Sequence, residues 1–242
     1  MRLTLRHYYD FGDKAETIGK NLNNAPAWEA LRLGKGSPDI FSIPPDAMKW
    51  RDKCLNDTLL IKRAEDILAL LDPGIKKIFS YGVGVGCLEY LLKKKNPQII
   101  LRCSDFTPQA IRYLQDIFKE ADEIALFDIL KGNWVSAGTD CVHLFHRVDT
   151  EFDDGEWQWI FQRMHAGGVQ NVLFVPSQVL TFSQIFYHLS KNLFYGISRK
   201  KITAAGYLRT SGQLQFLFRR FYSLQKTVKI GDLVGYLLRL KN

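Results

Sequence analysis

Short apolar runs alternate with segments of helical period through the middle of the chain. The apolar runs predict β-strands at 76–81, 98–104, 122–127, 140–146 and 169–176. Patterns of helical period lie at 57–71, 86–95, 108–120 and 154–165. Strand, helix and strand at this spacing are typical of right-handed βαβ units, in which helices cover both faces of a parallel sheet.

The pattern changes after Pro176. A long aromatic segment of helical period follows, and "TSGQLQFLFRRF" predicts another helix. The stretch "YSLQKTVKIGDLVGYLLRLK" predicts two strands around "IGD", and a turn this tight makes them antiparallel. The predicted fold is therefore α/β and doubly wound, with a mainly parallel seven-stranded sheet that carries an antiparallel C-terminal hairpin.

Residues 1–56 mix glycine, proline, asparagine and aromatic residues without a sustained period. This pattern predicts loops and short helices wrapped on another part of the molecule, so we expect a small N-terminal helical cap. The main domain is expected at 57–242, with an insertion at 177–210 between its fifth and sixth strands.

Composition favours a folded globular protein, with 46% apolar and 13% aromatic residues. Charges interrupt the apolar residues of "MRLTLRHYYDFGDK", and no run of about 18 apolar residues occurs, so we expect neither a signal peptide nor a membrane span. A soluble, cytoplasmic protein is the expectation. The cysteines, Cys54, Cys87, Cys103 and Cys141, are widely spaced without a CxxC pair, which predicts no metal site. Cys87, Cys103 and Cys141 lie within or beside predicted strands or a glycine-rich loop, which favours small buried thiols there.

Positive charge is concentrated in the last part of the chain. The net charge is +8, and residues 191–242 hold eleven Lys or Arg against a single acid. Such an excess predicts attraction to phosphate, an acidic glycan, nucleic acid or an anionic membrane surface, unless it forms only a solvated basic face.

Three glycines at alternate positions follow the first predicted strand, in "IFSYGVGVGCLEYLL". Gly82, Gly84 and Gly86 are costly unless the backbone needs positive φ or a close approach by another group, so the loop predicts a ligand. A dinucleotide-binding G-x-G-x-x-G pattern would place its third glycine at Cys87, and no GK[ST] follows as in a P-loop.

The observed G-x-G-x-G spacing resembles motif I of the class I S-adenosylmethionine-dependent methyltransferases. "CSDFTPQAI" resembles the acidic loop of that family, which implies that Asp105 binds the ribose hydroxyls and that Phe106 lies against adenine. The interval of 23 residues from Gly82 to Asp105 is close to the roughly 20 expected of such a unit. In "LFDIL", the resemblance implies that Asp128 holds the adenine amino group beside Ile129.

The resemblance covers about residues 57–240, including "MHAGGVQNVLFV" at the fifth strand. It implies S-adenosyl-L-methionine as cofactor and S-adenosyl-L-homocysteine as product. The implied cofactor-binding residues are Ser80, Tyr81, Gly82, Gly84, Gly86, Asp105, Phe106, Asp128 and Ile129.

The chain departs from the family at Ser80, where an acid usually contacts the methionine amino group. A hydroxyl can hydrogen-bond an ammonium but brings no counter-charge. Three alternatives remain open: a lower affinity, a substitute carboxylate elsewhere, or cofactor binding without methyl transfer.

Acceptor residues are implied after the fourth strand, in "HLFHRVDTEFDD". His146 is a candidate general base or a packed histidine, Arg147 could hold an anionic group or pair with an acid, and Asp149 is the third catalytic candidate. His143, in mid-strand, is expected to be buried structure. The [DN]-P-P-[FY] motif is absent, which disfavours methylation of nucleobases or glutamine.

The leading hypothesis is methyl transfer to a small-molecule, glycan or lipid-intermediate acceptor, at oxygen in preference to nitrogen. A non-catalytic S-adenosylmethionine-binding or scaffold protein is the alternative, and binding of nucleic acid is disfavoured because no aromatic and basic motif accompanies the basic tail. The aromatic segment at 177–201 could cover an apolar or anionic acceptor, pack on the sheet, or contact a membrane surface peripherally.

Overall fold

The computed structural model describes residues 5–9, 25–32, 42–44, 46–197 and 203–241. The helices within these ranges are α1 (Ala25–Arg32), α2 (Ala47–Asn56), α3 (Thr58–Leu70), α4 (Cys87–Lys95), α5 (Pro108–Ile117), α6 (Asp154–Ala166), α7 (Phe182–Ile197) and α8 (Ser211–Phe218). The strands are β1 (Leu5–Tyr9), β2 (Lys77–Tyr81), β3 (Ile100–Asp105), β4 (Glu123–Leu126), β5 (Cys141–His146), β6 (Asn171–Val175), β7 (Val179–Leu180), β8 (Thr203–Thr210), β9 (Tyr222–Ile230) and β10 (Leu233–Leu240).

The main sheet has seven strands in the order β4-β3-β2-β5-β6-β10-β9. The first five are parallel, whereas β10 runs antiparallel to both β6 and β9. The predicted fold class is confirmed, and the five predicted parallel strands lie within two residues of β2 to β6. Chain order reverses between β2 and β5, the position where open α/β sheets bind ligands at the carboxyl ends of their strands.

Two hydrophobic cores cover the two faces of this sheet. One packs α2 to α5 against it, and it includes the fully buried side chains of Trp50 and Cys54 from α2. The other packs α6 and α8 and is rich in aromatic rings, among them Phe145, Trp157 and Phe174. Because α2 lies before residue 57, part of the N-terminal segment belongs to the core of the main domain.

A second, three-stranded sheet joins the N-terminal segment to the insertion. Strand β1 pairs antiparallel with β8, and β8 pairs parallel with β7. The N-terminal segment therefore contributes a strand as well as the expected helices. This small sheet is fixed to the loop after β5, because the backbone N–H of Tyr207 donates to the carbonyl of Thr150 at 2.9 Å.

One face of helix α7 is apolar and is exposed to solvent. Phe182, Phe186, Leu189 and Leu193 recur at helical spacing, and all four are exposed. The basic residues expected after this helix, at 199–201, lie outside the described residues. No helix in the described part of the chain is long and apolar enough to cross a membrane.

The basic residues of the C-terminal part do not form one free face. Arg209 is buried, and its guanidinium donates to Asp154 at 2.7 Å and to two backbone carbonyls. Arg239 donates to the side chain of Asn171. Two of the cations counted in the tail thus serve internal contacts.

Candidate active site

A cleft of about 460 Å³ opens at the carboxyl ends of β2 and β5. The glycine loop forms one wall, and the start of α3 and the loop after β5 form others. The lining residues that bear on chemistry are Asp57, Arg63, Gly82, Gly84, Gly86, Glu89, His146, Arg147 and Glu151. The structure therefore brings the predicted glycines together with two of the three predicted catalytic residues.

The glycine loop needs its glycines for conformation and for space. Gly82, Gly84 and Gly86 have φ of 67°, 60° and 77°, in the left-handed region that side chains disfavour. A Cβ on Gly82 would also lie 2.3 Å from Cγ1 of Val148, so this glycine is required by packing as well. Gly86 precedes the first residue of α4, and its conformation turns the chain into that helix.

Asp105 ends β3 and holds the glycine loop in place. Its Oδ2 accepts a hydrogen bond from the backbone N–H of Gly84 at 2.9 Å. Its Oδ1 accepts from the backbone N–H and the hydroxyl of Thr107, at 3.0 and 2.7 Å. The side chain is 3% exposed, so its role in the described structure is to join the loop to the turn after β3.

Ser80 faces a carboxylate that was not among the predicted site residues. Its hydroxyl, at the end of β2, donates to Oε1 of Glu89 on α4 at 2.6 Å. Glu89 is buried but contributes to the cleft wall. Burial raises the pKa of Glu89 to about 7, with the nearby Asp105 adding to the rise and the Ser80 hydrogen bond opposing it.

One signal in the sequence could have pointed to Glu89. It is the sole charged residue among Cys87–Leu92, and all six positions are buried in α4. A charged residue in a fully buried helical stretch requires a partner or a function. Its partner was not predictable, because only the packing of α4 on the sheet brings Ser80 next to it.

His146 ends β5 and Arg147 follows it, and both line the cleft together with the glycine loop. His146 Nε2 is buried and has no hydrogen-bond partner within the part of the chain that the structure describes. Burial, together with the positive charges of Arg147 and Arg63, lowers the pKa of His146 to about 3. Arg147 is exposed and has φ of 61°, an uncommon conformation for a residue other than glycine. Because of its lowered pKa, the His146 imidazole is neutral at physiological pH, and it is a weaker base than an ordinary histidine.

Asp149 is fully buried and lies outside the cleft. Its Oδ1 accepts from the backbone N–H of Ser177 at 2.6 Å, and Ser177 lines the cleft. Burial is the main cause that raises the pKa of Asp149. The geometry suits a residue that positions the turn after β6.

The remaining predicted residues also lie outside this cleft. Tyr81 is buried in the aromatic core, where its hydroxyl is 2.9 Å from Nδ1 of His143, itself buried as expected. Asp128 accepts from the backbone N–H of Leu130 in the turn after β4, and Ile129 is buried in the same core as Tyr81. Phe106 is half-buried at the start of the turn after β3.

The expectation of a buried free thiol is wrong for Cys87. Cys54 of α2 and Cys87 of α4 form a disulfide, with 4.8 Å between their Cα atoms. Cys103 and Cys141 are free and buried, as expected. The pair was missed because 33 residues separate the two cysteines and only the packing of α2 on α4 brings them together. Such bonds are rare in cytosolic proteins, so this pair does not favour the cytoplasmic expectation.

No family model matches the chain, and no curated protein matches it. Solved structures do match its fold. The methyltransferase SibL is 12% identical over 74% of this chain, with a TM-score of 0.55. Human N-acetylserotonin methyltransferase, solved with S-adenosylmethionine, is 16% identical over 94% of the chain, with a TM-score of 0.56. Mitomycin 7-O-methyltransferase MmcR is 14% identical over 96% of the chain, with a TM-score of 0.59.

The fold is that of the class I S-adenosylmethionine-dependent methyltransferases, as the resemblance of the glycine loop predicted. The chain spans 55% of the length of SibL, 64% of the human enzyme and 68% of MmcR.

Proposed function

We propose that the chain binds S-adenosyl-L-methionine in the cleft and transfers its methyl group to a small-molecule, glycan or lipid-intermediate acceptor. The observation that carries the proposal is the glycine loop. Three glycines at positive φ border a cleft at the carboxyl end of β2, where the parallel sheet reverses its chain order. This loop allows a ligand to approach the backbone where side chains would block it.

The residues present suit such a cofactor. Gly82, Gly84 and Gly86 would lie under its methionine part and ribose, and Ser80 and the backbone of Tyr81 would border the amino group. Asp105 would bind the ribose hydroxyls while it retains its hydrogen bond to Gly84, because a carboxylate accepts several donors.

The adenine would lie near Phe106, Asp128 and Ile129, which occupy the turns that follow β3 and β4. S-adenosyl-L-homocysteine would then be the product.

The bound cofactor supplies an electrophilic methyl group, and the protein supplies alignment of the acceptor with it. His146 lines the cleft with an unpartnered Nε2 among the described residues, and it would accept a hydrogen bond from the acceptor, which we propose to be methylated at oxygen in preference to nitrogen. Arg147 would hold an anionic group of the acceptor, and Asp149 would act as a positioning residue through Ser177.

A specific observation favours a second candidate, a non-catalytic S-adenosylmethionine-binding or scaffold protein. Because the pKa of His146 is lowered to about 3, this histidine is poorly matched to proton removal at neutral pH. The second candidate predicts cofactor binding without turnover on any acceptor.

Isothermal titration with S-adenosylmethionine and S-adenosylhomocysteine tests the proposal, with Gly84→Val as the variant that fills the loop. We expect one site per chain in the wild type and no binding by the variant, while circular dichroism shows both folded. Absence of binding by the wild type at millimolar ligand would refute the proposal. Methyl transfer from labelled cofactor to a panel of phenolic, glycan and lipid hydroxyl acceptors separates the two candidates.

A further inference from the structure

Glu89 is a buried carboxylate with a single side-chain hydrogen bond. The donor is the hydroxyl of Ser80, and the two side chains are 2% and 1% exposed. Within the described residues, no Lys, Arg or His forms an ion pair with Glu89. A buried carboxylate is costly unless a cation or several donors compensate it, so the charge of Glu89 is left largely uncompensated.

Other carboxylates near the cleft already have partners. Asp57 caps α3 by accepting from the backbone N–H of Leu60. Glu151 accepts from Nε1 of Trp28 at 3.0 Å. Asp105 accepts three hydrogen bonds. Among the carboxylates that line the cleft, Glu89 is therefore the buried one with the fewest partners in the described residues, and Asp149, which also has an unpartnered Oδ2, lies outside the cleft.

The position of Glu89 relates it to the departure at Ser80. The hydrogen bond of 2.6 Å places the Glu89 carboxylate directly beyond the Ser80 hydroxyl. A carboxylate thus stands close to where an acid at position 80 would present its own. Helix α4 carries the charge that strand β2 lacks.

We propose that Glu89 binds the ammonium group of the cofactor's methionine part, with Ser80 orienting its carboxylate. This inference rests on the proposed function, because it assigns the counter-charge within the same site. It also predicts the effect of introducing an acid at position 80. Ser80→Asp would place a second carboxylate against Glu89, and the repulsion between the two would weaken rather than strengthen binding.

Two ligands that differ in the amino-acid part test the inference by isothermal titration. S-adenosylhomocysteine carries the ammonium, whereas methylthioadenosine has only the nucleoside and the sulfur. Glu89→Gln keeps the shape and the Ser80 contact but removes the charge. We expect it to weaken S-adenosylhomocysteine on the order of tenfold to a hundredfold, and to leave methylthioadenosine within about twofold.

Matched variants control for general effects. Glu151→Gln removes another carboxylate of the same cleft and should change the affinity ratio of the two ligands by less than about twofold. The double variant Ser80→Asp with Glu89→Gln moves the charge to the strand and should recover most of the loss. This recovery would not occur if Glu89→Gln acted by disturbing the fold.

Each outcome has one interpretation. Selective loss of S-adenosylhomocysteine in Glu89→Gln supports the inference, whereas equal loss of both ligands, or no loss, overturns it. If the wild type binds neither ligand, the proposed function itself fails and the inference fails with it. Wild-type binding of both ligands with an unchanged Glu89→Gln leaves the proposed function standing and refutes the inference alone.

Discussion

Two buried carboxylates border the glycine loop, and they differ in how completely the protein satisfies them. Asp105, at the end of β3, accepts hydrogen bonds from Gly84 and twice from Thr107. Glu89, in the first turn of α4, accepts a side-chain hydrogen bond from Ser80 alone. Both are almost inaccessible to solvent, at 3% and 2% exposure, so burial does not account for the difference.

The two carboxylates differ in role: Asp105 holds the glycine loop in place, whereas Glu89 is able to bind a cation. A carboxylate with three donors is compensated by the fold, and its removal exposes the donors. In Glu89, burial raises the pKa because the Ser80 hydrogen bond offsets only part of the lost solvation, and the group remains able to accept a cation. Ionisable groups with this imbalance, placed in a cleft, are typical of functional sites.

The largest effect is expected from Asp105→Ala. The change leaves the backbone N–H groups of Gly84 and Thr107 without their acceptor in a buried site. Each of the two orphaned donors costs about 1 to 3 kcal/mol, so urea denaturation should show a loss on the order of 2 to 6 kcal/mol, together with loss of cofactor binding. Asp105→Asn, which keeps one acceptor oxygen, should lose less. A loss below about 1 kcal/mol for Asp105→Ala would show that the loop is held by other contacts.

Cys54→Ser should have the next largest effect, because the disulfide with Cys87 ties α4 to α2 beside the loop. Opening a loop of 33 residues removes about 3 to 4 kcal/mol of stability in the chain-entropy account. Denaturation of the oxidised protein measures it. Reduction should lower the wild type to the level of the variant, and a wild type insensitive to reductant would contradict the bond.

Glu89→Gln should stabilise the protein without ligand, and only above the acidic range. Since the pKa of Glu89 is raised from 4.5 to about 7 on folding, the folded state retains a proton that the unfolded state loses. Stability is therefore lost as pH rises from about 4.5 to 7, on the order of 1 to 3 kcal/mol. Thermal unfolding should show a higher Tm for the variant at pH 7.5 and equal values at pH 4.5. A variant less stable at both pH values would argue for a purely structural Glu89.

Ser80→Ala should give the smallest effect. It removes one neutral donor from Glu89, so affinity for S-adenosylhomocysteine should fall by about 0.5 to 1.5 kcal/mol. Titration beside Thr107→Ser, which keeps the hydroxyl on Asp105, controls for general loosening of the loop. A loss as large as that of Glu89→Gln would mean that Ser80 contacts the ligand itself.

The main sheet could be predicted because each of its parallel strands is a short, continuous apolar run in the sequence, separated from the next by a segment of helical period. The pattern located β2 to β6 and the terminal hairpin within a few residues, and the loop spacing located Gly82, Gly84 and Gly86. The small sheet was not predicted. Its strand β7 has only two residues, and β1 pairs with β8 across most of the chain, so neither has a local signal.

The candidate site was only partly predictable, because some of its contacts depend on how a helix packs on the sheet. His146 and Arg147 follow a predicted strand, so their place at the sheet edge could be derived from the pattern. Glu89 lies in an apolar helical run whose buried face is set by packing on β2 and β3. Its contact with Ser80 spans nine residues and depends on that packing.

Several charged or titratable groups surround Glu89 and bear on its titration. Cys103 and Asp105 act on it electrostatically from β3. The groups on the other walls of the cleft are Asp57, Arg63, His146, Arg147 and Glu151. Burial holds the Cys103 thiol protonated and His146 neutral across the range in which Glu89 titrates. The pKa of Asp149 is also raised by burial, so the Glu89→Gln variant is needed to assign a proton exchanged near pH 6.5 to Glu89.

Proton release on binding tests the central claim most directly. Titration of S-adenosylhomocysteine at pH 6.5, in buffers of different ionisation enthalpy, counts the protons released per ligand bound. Because the pKa of Glu89 is about 7, the ligand-free site is mainly protonated at this pH and must ionise to pair with an ammonium. The wild type should release about 0.7 proton per site and Glu89→Gln close to none. Equal proton release by the two proteins, or none by either with S-adenosylhomocysteine bound, would contradict the account.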